Sequence, residues 1–193
     1  MNNKFYPSLI LILVFAFTAF GQSLQDKIEK FEKHKFYKVD YDKFKDTTKV
    51  SFPYVYLKGT KESKSAAGAV GFGIIFFFDG QAVTSDVDKF YITFDATCGS
   101  WCFLKDHSLL FLNDGQKLDL GDGSHDGKVA SAGRSGITVS EFMIYTIRRD
   151  DLTVIANSKL SEFQLGSFEA VFSDYAKKVV KNMLSLSGEM AKK

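Results

Sequence analysis

The sequence predicts a mainly β fold, an antiparallel sandwich or partly closed barrel, with a short helical turn late in the chain and a C-terminal helix. Three observations carry that expectation. Strand-like segments follow one another with no helical segments between them, which argues against βαβ units. Twenty phenylalanines and eight tyrosines against two prolines suit pleated, half-buried surface. Asp-Gly steps at Asp79-Gly80 and Asp114-Gly115 supply turn chemistry at hairpin spacing.

The first twenty-one residues have the layout of a signal peptide rather than of a fold. Lys4 precedes an apolar run from Leu9 to Phe20, and Ala19 and Gly21 place small residues at −3 and −1 of a cut before Gln22. The run is short for a membrane span. No cysteine follows the cut, so a lipid anchor is not expected. Residues 22–193 then form one exported domain, secreted or periplasmic, without a membrane span after cleavage. About 170 residues suffice for a substantial core.

Leu24, Ile28 and Phe31 recur at helical spacing and predict a short amphipathic helix. "FYKVDYDKF" (36–44) alternates, with Tyr37, Val39 and Tyr41 on one face. "KVSFPYVYLK" (49–58) reads as a strand that Pro53 restricts to an edge or a bend. A polar loop (59–68) leads into "AVGFGIIFFFDG" (69–80), whose unbroken apolar run predicts cover on both faces. "KFYITFDAT" (89–97) alternates, with Phe90, Ile92 and Phe94 inward. Residues 108–123 read as a hairpin turning at Asn113-Asp114-Gly115.

"GITVSEFMIYTI" (136–147) is a long strand, and "RRDDLTVIANS" (148–158) gives one or two helical turns with Leu152 and Ile155 inward. A hairpin around Gly166-Ser167 follows. Ser173 is an N-cap for a closing helix in which Tyr175, Val179, Met183 and Leu186 share a face. The total is roughly nine strands.

Charge excludes one class of partner. The net formal charge is +2, and only three of the basic residues are arginine (Arg134, Arg148 and Arg149), so nucleic acid is not an expected partner.

Chemistry concentrates in "ATCGSWCFL" (96–104), which holds both cysteines, Cys98 and Cys102, and the sole tryptophan, Trp101. Redox sites of the C-x-x-C type use a shorter spacing at a helix N-terminus, and no helix is expected here. Zinc needs four ligands, and only His34, His107 and His125 could join two thiolates. In an exported protein the expectation is a disulfide. Along a straight strand the two Cα atoms would stand ~13 Å apart at about 3.3 Å per residue, beyond disulfide reach. The chain must therefore turn at Gly99-Ser100. So small a loop gains about 2 kcal/mol from the bond in the loop-entropy account.

"DGSHDGKV" (122–129) is a second candidate. Asp122, Ser124, Asp126 and Gly127 match positions 1, 3, 5 and 6 of a calcium loop, and Val129 matches position 8. Gly133 stands where the bidentate glutamate is required, so an EF-hand is excluded. A weaker calcium site remains as an alternative to turn residues, with His125 open to solvent between the turns. Asp86, Asp88, Asp95 and Glu141 belong to no interpretable acid–base pair and are expected on solvated faces. No nucleophile elbow or phosphate loop is present, so no catalytic residue and no cofactor-binding motif is assigned.

"DYDKFKDTTKVS", "WCFLKDHSLLFLNDGQKLDLGDGSHDG" and "VSEFMIYTIRRDDLTVIANSKLSEFQLGSFEAVF" together resemble a group of small secreted bacterial β-rich proteins of unknown function, across most of residues 40–186. The resemblance implies an exported β-rich domain and carries over no catalytic residue. The resulting expectation is a non-enzymatic binding or interaction module for an unknown protein or small ligand. Its alternatives are a small-ligand carrier with an apolar cavity, a thiol-redox protein using Cys98 and Cys102, or a metal-dependent enzyme using the aspartates near 122–126.

Overall fold

A computed structural model describes residues 37–190, apart from 62, 64, 81–86 and 134–135. The expected signal segment and the helix through Leu24, Ile28 and Phe31 lie outside the described residues, as do His34 and Asp86. The elements are β1 (Lys38–Asp42), β2 (Thr47–Lys58), β3 (Ala69–Asp79), β4 (Lys89–Cys98), β5 (Ser108–Asn113), β6 (Gln116–Asp122), β7 (Ser124–Gly133) and β8 (Gly136–Arg148), then α1 (Arg149–Asn157), β9 (Ser161–Leu165), β10 (Phe168–Val171) and α2 (Asp174–Met190).

The strands form two antiparallel sheets. The larger runs β1-β2-β3-β4-β8-β7 and the smaller β10-β9-β5-β6. Between them, inward residues of β3, β4 and β8 (Phe72, Ile74, Phe76, Phe90, Ile92, Phe94, Met143, Ile147) meet Leu109, Phe111, Phe163 and Leu165 of the smaller sheet, all fully or almost fully buried. The rings interlock across the gap. Phe94 stacks on Phe163 at 5.3 Å, and Phe72 meets Phe172 edge-on at 4.8 Å. Burying each such ring contributes about 2–3 kcal/mol. A core filled in this way counts against the carrier with an apolar cavity.

Both helices complete the smaller layer. Leu152 and Ile155 of α1, and Val179, Val180 and Met183 of α2, are buried in the same core. Ser173 caps α2 by accepting the Ala176 amide at 3.2 Å. Arg149 ties both helices to the segment that leads into β4. Its guanidinium donates to the Val87 carbonyl at 2.8 Å and to Ser187 Oγ at 2.7 Å.

Local sequence chemistry explains most boundaries. The β5–β6 hairpin turns on Asp114 and Gly115, both at positive φ (47° and 86°), as a two-residue primed turn requires. The β9–β10 hairpin turns at Gly166, with φ 53°. Pro53 lies at the register shift between Phe52 and Val55 on the β3 side and beyond Ser51, where the pairing of β2 with β1 ends, which fits the expected edge or bend.

Three expectations need correction. The Asp126-Gly127 step is not a turn but part of β7, a tenth strand that pairs with β8. Cover on both faces of β3 is incomplete. Gly71 and Gly73 lie beneath the Tyr54 ring, but Phe77, on the same outer face, is 42% exposed. Finally, Glu141 does not face solvent.

Candidate functional site

The site grows from the end of β4. Cys98 is the last residue of that strand, and the chain bends at Gly99-Ser100 as the cysteine spacing requires. Cys98 and Cys102 are joined by a disulfide, with Cα atoms 6.4 Å apart. The segment 99–107 then carries the chain from the larger sheet to β5 of the smaller one. Cys98 is almost fully buried, whereas Cys102 is half-buried.

Glu141 fastens this crossing segment. It lies in β8 between Ala96 of β4 and Gly127 of β7, on the inner face. Both flanking residues are small, so a loop backbone can approach the carboxylate. Glu141 is 0% exposed. Its Oε2 accepts the Cys102 amide at 2.6 Å and its Oε1 accepts the Phe103 amide at 3.1 Å. A third donor is His125 Nε2, 3.0 Å from Oε1. Because a carboxylate only accepts, the His125 proton on this side resides on Nε2. Three N–H groups thus replace the water that a buried charge loses on burial.

Aromatic groups close the site. Trp101 packs against the backbone of Gly127, where a side chain would overlap its ring. His107 stacks on His125 with ring centres 5.2 Å apart, and its Nδ1 lies 3.3 Å from the Phe103 carbonyl. The Tyr145 hydroxyl donates to the His107 carbonyl, and burial pushes its phenol pKa well up. His125, expected to be open to solvent, has a side chain only 10% exposed.

This grouping brings together residues that the sequence left apart. The Sγ atoms of Cys98 and Cys102 and a carboxylate oxygen of Glu141 lie within 4.8 Å of one another, the donor set of a metal site, but here the two sulfurs are joined in the disulfide. The calcium candidates are not gathered in this way. Asp122 ends β6, and Ser124 and Asp126 lie two residues apart on the outer face of β7, all three exposed. Asp88 precedes β4 and Asp95 lies on its outer face, opposite Gly71. Glu141 was the missed residue. Its phase with Ile137, Val139, Met143, Tyr145 and Ile147 marks it as inward, against Thr138, Ser140, Thr146 and Arg148 on the other phase, so the sequence did carry a signal for it.

A cleft of about 450 Å³ lies elsewhere, on the outer face of the smaller sheet. Leu110, Leu112, Lys117, Glu162, Gln164 and Glu169 line it, with Thr60 at one side. Among the described residues, no helix is long and apolar enough to cross a membrane.

Fold and site together define a two-layer β domain with a disulfide set against a buried carboxylate. Comparison of the chain with family models, curated proteins and solved structures gives no match.

Proposed function

We propose that this domain is an exported thiol–disulfide module, with Cys98 and Cys102 as its working pair. One observation carries the reading: the crossing segment has several anchors besides the disulfide. Glu141 binds the amides of Cys102 and Phe103, the Phe103 side chain is fully buried, and Tyr145 holds the His107 carbonyl. A bond closing so short a loop adds only about 2 kcal/mol. Its loss therefore leaves both sulfurs positioned, which a purely structural staple does not need.

The chemistry is exchange with an external thiol. A thiolate attacks the sulfur of Cys102, the less buried residue, and the bond breaks toward Cys98, which leaves as a thiolate and takes a proton from solvent. A second external thiol then releases Cys102, so two thiols are oxidised to their disulfide as the protein pair is reduced. A non-enzymatic binding role would fall instead to the outer cleft, which Leu110 and Leu112 line among charges of both signs, Lys117 as well as Glu162 and Glu169.

Titration in glutathione redox buffers, followed by maleimide mass-tagging, tests the thiol reading. The expected outcome is reversible reduction in the folded state at a potential above about −300 mV, the range of labile rather than structural disulfides. Resistance to reduction until the protein unfolds would remove the proposal and leave the binding role.

A further inference from the structure

We infer that reduction converts this centre into a metal site for a thiophilic divalent cation, with zinc as the natural candidate. The inference rests on the thiol reading, since the sulfurs can bind a cation only once the bond between them is cut. The donor chemistry then selects the ion. Two thiolates with one carboxylate and an adjacent imidazole form a soft-to-borderline set suited to zinc, and poor for calcium or magnesium.

Geometry supports three ligands directly. Sγ of Cys98, Sγ of Cys102 and a carboxylate oxygen of Glu141 lie within 4.8 Å of one another. Tetrahedral zinc with bonds of 2.0–2.3 Å needs donors ~3.3–3.8 Å apart, a spacing that side-chain rotation can reach once the sulfurs are free. The Cys102 amide, the Phe103 amide, which reaches both oxygens, and His125 Nε2 take up the roughly four lone-pair positions of the Glu141 carboxylate. A position opens for the ion when His125 turns away. His125 Nε2, 3.0 Å from the Glu141 oxygen, stands outside the three-ligand group and comes to the metal as a fourth ligand by turning away from the carboxylate. Its proton shifts to Nδ1 as Nε2 turns to the metal.

Support around the ligands is already in place. The Phe103 and Cys102 amides orient the carboxylate, and His107 stacks on the His125 ring. The balanced steps are two. A phosphine and one water convert the disulfide to two thiols and a phosphine oxide. One zinc ion then displaces both thiol protons, which pass to solvent.

The test uses the full-length chain, reduced anaerobically with a phosphine that is removed before cobalt(II) is titrated in as the spectroscopic probe. Reduced protein is expected to bind one equivalent, with near-ultraviolet thiolate-to-cobalt charge transfer and the visible bands of tetrahedral cobalt, and zinc should displace it. Oxidised protein should show no such bands. Cys102→Ser and His125→Ala should each weaken binding about tenfold or more. Circular dichroism and thiol counting on the same samples separate the outcomes. A reduced, folded protein with two free thiols and no thiolate–cobalt band overturns the metal site and leaves the thiol module standing. A disulfide that cannot be reduced without unfolding overturns both.

Discussion

The Trp101 ring lies against Gly127, a residue inside β7 that has no side chain to keep it away. A Cβ at Gly127 would overlap Cζ3 of that ring. Gly127→Ala should therefore push the indole outward and cost about 1–3 kcal/mol, the range for overpacking. Trp101 is the only tryptophan, so its fluorescence reports on this contact alone. A red-shifted emission and a lowered melting temperature are expected. An unchanged spectrum would show that the ring does not rest there.

Glu141 should be among the costliest surface-remote polar residues to remove. Glu141→Ala leaves the Cys102 and Phe103 amides and the His125 ring without their acceptor. Unpaired buried donors cost about 1–3 kcal/mol each before any local rearrangement. Urea unfolding is expected to show a loss of at least ~3 kcal/mol, with Glu141→Gln intermediate because its amide keeps one acceptor oxygen. A loss within ~0.5 kcal/mol, the usual effect at an exposed site, would contradict the buried clamp.

Asp114 sets one acid-sensitive contact. Its carboxylate accepts the Leu160 amide at 2.9 Å and the Lys159 amide at 3.0 Å, and these bonds hold its pKa below the ordinary carboxylate value. The folded pKa is thus lower than the unfolded one, near 3.9. Its stabilisation is fully present above that unfolded value and is lost as pH falls through the folded one. Asp114→Asn, which still tolerates the positive φ, should flatten the fall in melting temperature below about pH 4. Parallel acid limbs for the two proteins would remove the contact from the account.

The parts legible in the sequence were those set by local chemistry. Asn113-Asp114-Gly115 announces its turn because two consecutive positive φ angles suit few other residues. Leu152, Ile155 and Ser173 announce the two helices through spacing and capping. The Cys98–Cys102 spacing even requires the bend at Gly99-Ser100, because no straight strand brings those sulfurs together.

Tertiary features were hidden for a physical reason. The Asp126-Gly127 step has the composition of a turn, and only the Trp101 ring arriving from the crossing segment explains a glycine within β7. Glu141 shares the more apolar phase of its strand, but nothing within that strand shows what would satisfy a carboxylate there. The amides that satisfy it come from Cys102 and Phe103, some forty residues away in sequence.

Strand order also governs how the chain finds its shape. β4 pairs with β8 along Lys89–Cys98 and Val139–Arg148, but the chain first leaves for the opposite sheet and returns. The larger sheet cannot be completed until that excursion ends, so its central seam is a long-range closure. Such topology places folding in the slower, millisecond-to-second class, with local hairpins preceding the seam. The two cysteines, four residues apart, are free of that delay. Oxidation can join them in a chain whose Glu141 has not yet arrived, and a later reduction meets a loop that the finished fold has already secured.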